Sequence, residues 1–422
     1  MATIVVSPSN VVTYPEGGGH FWVFMQYVLG LRELGCDVYW LEHHPQRADR
    51  KQRDSEAGVF FDRMKRFGME GKAVLYKATD ASTASPGAFE YSGLSHADAE
   101  ALFARADLLL NFHYTIDPRL LGRFERTALV DIDPGLLQFW TDAGQLEIPE
   151  HDLYFTIGET VGTDRARFPD CGLPWRRIRP SVCLSQWPFT YDADAAAFTT
   201  VSGWWGGAGK GEWITDGAAT FFENNKRVSF LRFVELPRRT DQVLELALCL
   251  GDGDPKPDPG LASSDPAGSG AARWLPPGIR PGDATDYMGD AVDRLRLEKN
   301  GWRLRHTREV AHTPEAYRGY IQRSRGEISC VKPSCVEFQN AWVSDRTLCY
   351  LASGKPVVIQ NTGPSEYLPG GEGIFRFSDV DEAIDALDRV NAEYRKNCEA
   401  ARAIAVEYFD ARVTLESVLN AM

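Results

Sequence analysis

The sequence has no run approaching the roughly 20 consecutive apolar residues that a membrane-crossing helix needs. Paired cysteines are missing too. Its eight cysteines are scattered singly, and only Cys330 and Cys335 lie close together. Without CxxC pairs or a Cys/His ladder, neither a disulfide framework nor a metal site is expected. Positive charge is in deficit: 46 Lys and Arg face 59 Asp and Glu, a formal balance of −13. That balance argues against nucleic acid or an anionic membrane as partner, although a local basic pocket for phosphates is compatible with it. Met1–Asn10 carries no basic segment ahead of a long apolar run, so it does not read as a signal peptide, and the cytoplasm is the expected location. The dinucleotide fingerprint G-x-G-x-x-G is absent from the first strand–helix junction, which removes support for a nicotinamide site.

What is present is ordinary globular composition, 43% hydrophobic and 25% charged, in a chain of 422 residues. That length exceeds one ordinary core, so two domains are expected. The first half alternates short apolar strands with amphipathic helices, the strands being Thr3–Ser7, Asp37–Glu42, Leu108–Asn111, Ala128–Asp131 and Leu153–Ile157. Between the first two, Phe21, Phe24, Val28, Leu31 and Leu34 share one helical face and Gly35 ends the helix. A break around Trp187–Ala196 precedes a second alternation. It has strands at Phe198–Val201, Val228–Val234, Trp302–Arg305, Glu327–Val331, Pro356–Gln360 and Ile374–Phe377. Helices are expected at Asp241–Leu250, Ala284–Lys299, Pro314–Ser324, Asp345–Ser353 and Val380–Asn397. The expected division is therefore 1–190, 191–400 and a C-terminal helical segment, 401–422, returning to the first domain. Gly251–Gly270, rich in Pro and Gly, reads as a surface loop, either a tolerated insertion or a lid.

Five stretches carry chemistry-bearing residues. Gly17-Gly18-Gly19-His20 lies between the first strand and its helix, where glycines let an anion approach free helix N–H groups. His20 there suits a general base, or equally a helix cap. In the second stretch Ser344 reads as an N-cap, followed by Asp345, Arg346 and Thr347 at the start of a helix that Gly354 ends. Its N–H groups and the Arg346 guanidinium suit a diphosphate; capping and a surface ion pair are the plain alternatives. In the third, Thr362, Gly363 and Glu366 form a turn at the same sheet edge, where Glu366 either accepts donor hydroxyls or stabilises the next helix. In the fourth, Arg238 and Arg239 precede the expected helix at Thr240, close enough to offer one cation to a phosphate; Lys210 and Lys332 are weaker candidates. In the fifth, Asp131 and Asp133 end a strand, where they could orient His20, bind an acceptor or form a turn. Trp22, His113, Tyr114 and Trp140 make an aromatic set suited to a flat acceptor or to core packing.

The stretches SDRTLCYLASGKPVV with the following NTGPSEYL, and EGGGHFWVFMQYVLGLRELGCDVYWLE, resemble the GT-B glycosyltransferases. That resemblance implies an α/β chain of two Rossmann-like doubly wound domains facing across a cleft. It implies a nucleoside-diphosphate sugar as donor on the C-terminal side, with no cofactor or metal, and a small-molecule acceptor on the N-terminal side. His20 matches the acceptor-side histidine of inverting members. The sequence departs from the E-x7-E pair of retaining members: Cys349 stands at the second position, Glu337 lies too far upstream, and ribose recognition is left unassigned. A GT-B-fold sugar-nucleotide epimerase, a pseudo-glycosyltransferase and a non-catalytic nucleotide- or sugar-binding protein are the alternatives.

Overall fold

The computed structural model describes residues 1–79, 89–206, 211–215, 220–250 and 289–422. The expected loop Gly251–Gly270, the first turn of the expected helix Ala284–Lys299 and Lys210 lie outside the described residues.

Eight strands form the first sheet: β1 (Thr3–Ser7), β2 (Asp37–His43), β3 (Ala73–Ala78), β4 (Phe89–Ser92), β5 (Leu108–Asn111), β6 (Thr127–Asp131), β7 (Leu153–Thr156) and β8 (Trp175–Arg177). Their order is β4-β3-β2-β1-β5-β6-β7-β8, and every neighbouring pair is parallel except β3 with β4. β1 is central and fully covered, with Ile4, Val5 and Val6 all buried, which is why this strand reads as a continuous apolar run. The order reverses beside β1, between β2 and β5. In an open α/β sheet the crevice at such a point, outside the carboxyl ends of the strands, is where ligands bind. His20 and the loop after β1 sit at this crevice.

The second half starts with β9 (Ala197–Ser202), then a hairpin of β10 (Trp213–Thr215) and β11 (Thr220–Glu223). β12 (Val243–Leu248), β13 (Arg303–His306), β14 (Gly326–Ser329), β15 (Val357–Gln360) and β16 (Ile374–Phe377) complete a parallel six-stranded sheet ordered β13-β12-β9-β14-β15-β16. The two sheets face one another as two doubly wound domains, the GT-B arrangement.

Two expected elements exchange type. Val228–Val234 falls in a helix, Lys226–Arg232, and Asp241–Leu250 falls in β12. In the first, apolar residues fit both periods, and packing of Phe230 and Phe233 into the second core selects the helix. In the second, good helix formers (Leu, Glu, Ala) are overridden because the segment lies between β9 and β13 with both faces covered. β3, β4 and β8 were also not expected from the sequence.

The C-terminal end joins the halves. The helix Tyr394–Tyr408 packs on the helix Asp345–Ala352. The chain then pairs Asp410 with Val182, and Ala411 and Leu415 of the last helix, Ala411–Leu419, close on Gly30 of the helix Gly18–Glu33. A Cβ at Gly30 would overlap both of those side chains, so the glycine permits this seam.

Candidate active site

The interdomain cleft encloses a cavity of about 350 Å³. One wall comes from Gly17–His20 and Asp133 of the first domain. The other comes from Ser202 and Gly203 at the end of β9, Lys226, Lys332 after β14, and Ser344, Asp345 and Arg346 at the start of a helix.

His20 lies in the first turn of the helix Gly18–Glu33, half-buried, with Nε2 2.9 Å from the carbonyl oxygen of Ser9. A carbonyl only accepts, so Nε2 carries the proton and Nδ1 keeps the lone pair. Burial lowers the pKa of His20, against smaller opposing effects from Ser9, Asp345 and Asp133, so the neutral form needed of a base is favoured. Ser9 itself is held by the loop it belongs to. Buried Glu42, at the end of β2, accepts the N–H groups of Val11 at 2.5 Å and Val12 at 2.8 Å and the indole of Trp40 at 2.9 Å. Burial raises the pKa of Glu42 to about 7.

Asp131 does not orient His20. It is fully buried and accepts Gln138 Nε2 and Thr156 Oγ1, both at 2.8 Å, and the N–H of Asp133 at 3.0 Å. Burial raises its pKa to about 6. Its role is to fix the turn that presents Asp133. The glycines differ from expectation as well. Gly18 N–H, expected to be free for a phosphate, donates to Ala311 O at 3.1 Å. A Cβ on Gly18 would overlap the carbonyls of Thr313 and Ala311, and one on Gly19 would overlap the Tyr317 ring. Both glycines line the cleft, but what they make room for is the opposite domain.

On the second-domain wall the side chain of Ser344 accepts the N–H of Arg346, capping the helix Asp345–Ala352. The Arg346 guanidinium is held by Glu327 at 2.7 Å and by Val201 O at 2.9 Å, and the neighbouring Glu327 charge keeps it firmly protonated. Lys332 pairs with Glu212 at 3.0 Å. Lys226, which the sequence reading passed over, makes no ion pair or hydrogen bond with the described residues. Burial, then the charges of Arg346 and Lys332, lower its pKa to about 8. Burial is the larger cause, and the two neighbouring cations add to it, so three cationic side chains share this wall of the cleft. The signal is Asn225-Lys226 at a helix start, just ahead of the segment Val228–Val234 expected as a strand.

The remaining donor-side residues fall elsewhere. Arg238 and Arg239 precede β12, at the sheet edge opposite the cleft; Arg238 donates to Lys299 O and Arg239 pairs with Asp381. They are therefore removed from the phosphate set, a consequence of the helix–strand exchange. Thr347 is buried in its helix. Thr362 donates to Trp342 O at 2.9 Å, and Gly363, at φ 110°, packs on the backbone of Gln339; neither lines the cleft. Glu366 is exposed and pairs with Arg165 of the first domain at 3.2 Å, beside Ser365, which donates to Glu159 at 2.6 Å. Cys349, at the departure from E-x7-E, is buried against Gln26 and does not reach the cavity.

A second, open groove of about 660 Å³ runs from His20 along the first domain. It gathers His113, Tyr114, Asp133 and Trp140, the expected acceptor set apart from Trp22. Trp22 is buried, donates to Pro314 O at 2.9 Å and packs on Phe67 and Trp187, so it belongs to the interdomain core. Burial and the neighbouring His43 lower the pKa of His113 to about 4. His20 and Asp133 line this groove and the donor-side cavity alike.

Two doubly wound sheets with a cationic wall on one side of a cleft and a neutral histidine on the other define a chain of GT-B fold. Several solved glycosyltransferases share this fold. The chain is similar to sucrose-phosphate synthase from Thermosynechococcus elongatus, at 11% identity over 100% of this chain and 99% of that one, with a TM-score of 0.51. It is similar to an alpha-glucosyltransferase solved with UDP-glucose and DNA containing an abasic site, at 12% identity, 99% and 98% coverage and a TM-score of 0.54. Anabaena HepE in complex with UDP matches at 11% identity, 100% and 100% coverage and a TM-score of 0.52. Identities this low establish likeness of fold. No protein-family model matches the chain, and no curated protein matches it in sequence. No helix among the described residues is long and apolar enough to cross a membrane, and these residues hold no cluster of three potential metal ligands.

Proposed function

We propose that this protein transfers a sugar from a nucleoside-diphosphate sugar to a small acceptor. The observation that carries the reading is the convergence of Lys226, Arg346 and Lys332 on one wall of the cleft, opposite His20. A diphosphate against that wall would satisfy Lys226 and relieve its repulsion from the other two. The same three cations would neutralise the leaving diphosphate, a task otherwise given to a bound metal ion. His20 Nδ1 would take the proton of the acceptor hydroxyl as it attacks the anomeric carbon, with inversion. The interdomain contacts of Gly18 with Ala311 and of Asn340 with Pro134 O keep the cleft narrow, which limits donor hydrolysis. Among similar folds, the glucosyltransferase solved with UDP-glucose and HepE solved with UDP make uridine nucleotides the first to try.

The experiment is calorimetric titration of the full chain with UDP, GDP, TDP and ADP, repeated on Lys226→Ala. Selective binding of one diphosphate, lost in the variant, supports the reading. Binding that is indifferent to Lys226, or no binding of any diphosphate, removes it.

A further inference from the structure

The cleft divides by charge on either side of His20. Its donor wall holds three cations, whereas none of the residues lining the second groove is a lysine or arginine. The division runs deep in the sequence. Met1–Leu31, which supplies Ser9, Asn10 and His20, contains no Lys or Arg. Thr127–Asp164, which supplies Asp133, Trp140 and Gln145, contains eight acidic residues and no Lys or Arg. Nor does His113 bring a charge there, since its pKa is held far below neutrality.

Within this groove Asp133 forms no ion pair among the described residues. Its Oδ2 receives one long hydrogen bond, from Tyr114 Oη at 3.5 Å. Tyr114 in turn accepts the N–H groups of Ile132 and Asp133 at 3.0 and 3.1 Å, so the backbone that carries the carboxylate is fixed in place. Lys332, a donor-wall cation to which it is electrostatically coupled, pairs with Glu212 at 3.0 Å. Trp140 and Tyr114 add aromatic faces, which stack on the C–H face of a ring and attract an ammonium.

We infer that the acceptor is a compact ring-shaped polyol bearing an amino group, its ammonium held by Asp133 and its reacting hydroxyl at His20. Phosphorylated, carboxylated and nucleic-acid acceptors would meet this carboxylate and find no lysine or arginine among the described residues lining the groove. This rests on the glycosyltransferase reading of the same cleft.

The test is saturation-transfer NMR on the full chain with excess UDP, using glucosamine, glucose and glucose 6-phosphate as probes. Expected is the order glucosamine, glucose, glucose 6-phosphate, with roughly tenfold or more between the extremes, as like-charge juxtaposition dictates. In Asp133→Asn the glucosamine advantage over glucose should disappear while UDP binding persists. Equal signals from the three probes, including no signal from any, overturn the inference, as does a preference for the phosphate. Loss of UDP binding from the unmodified protein would instead strike the proposed function, so the two failures are distinct.

Discussion

His20 Nε2 donates to the carbonyl of Ser9 at 2.9 Å, and this one bond decides which nitrogen of the imidazole can act as a base. The acceptor is a backbone oxygen, so the arrangement leaves Nδ1 unprotonated without needing a carboxylate behind the ring. Two carboxylates at the sheet edge serve the loops instead: Asp131 holds the turn before Asp133, and Glu42 holds the loop that carries Ser9.

His20→Ala should lower turnover by about 10²- to 10⁴-fold, the usual contribution of a general base. Nucleotide affinity should stay within a factor of about two, because no donor-wall cation hydrogen-bonds to the ring. Burial lowers the His20 pKa, and the base works deprotonated, so the acid limb of kcat/KM should fall below the ordinary histidine value of 6.5. Steady-state kinetics across pH, alongside calorimetry, separate these effects; an acid limb above 6.5 would assign the base elsewhere.

Lys226→Ala should weaken nucleoside-diphosphate binding by roughly 10- to 100-fold, the scale of a charge-assisted hydrogen bond. Since the free lysine titrates at about 8, affinity should be highest below that pH and decline as pH rises through it. Lys226→Met should abolish this decline. Arg239→Ala, at the opposite edge of the sheet, should leave affinity unchanged. Titrations at pH 6.5 and 9.5 on the three variants check all of this.

Gly18→Ala places a methyl group against the Thr313 and Ala311 carbonyls. Backbone atoms cannot rotate aside, so the domains must part, at a cost of about 1–3 kcal/mol. Small-angle scattering should show a larger radius, and thermal unfolding should come earlier. An unchanged radius and melting temperature would mean that the seam absorbs the methyl group.

Glu42 tests the loop rather than the chemistry. Its folded pKa of about 7 exceeds the ordinary 4.5, so the folded state binds the extra proton. Its stabilising effect is complete below pH 4.5 and is lost as pH rises to about 7, a change of up to roughly 3 kcal/mol. Glu42→Gln should flatten the stability profile across that window, read by chemical denaturation at several pH values. Wild-type and variant profiles that run parallel would refute the assignment.

Local patterns were enough for much of this fold. Ile4-Val5-Val6, the helix face after Gly19 and the Ser344 cap before Asp345–Ala352 are signals a few residues long, and each element forms where those signals stand. They placed His20, Ser344 and Arg346 at carboxyl sheet edges without any knowledge of the partner domain. Val228–Val234 fits two periods and Asp241–Leu250 is rich in helix formers, and only burial against neighbours sets the element that each adopts. The exchange brings Lys226 to a helix start at the cleft and leaves Arg238 and Arg239 at the far edge of the sheet.

The sequence by itself determined strands such as Thr3–Ser7, the cap at Ser344 and the scarcity of Lys and Arg in the segments that line the first-domain groove, because these depend on residues adjacent in the chain. The tertiary structure decided which groups meet. Glu42 reaches Val11 across 31 residues, and Arg346 reaches Val201 across 145. Gly18 gives up its amide to Ala311 in the other domain. The first two contacts depend on how distant segments pack within one domain and the third on how the two sheets meet, so no short window along the chain contains both partners.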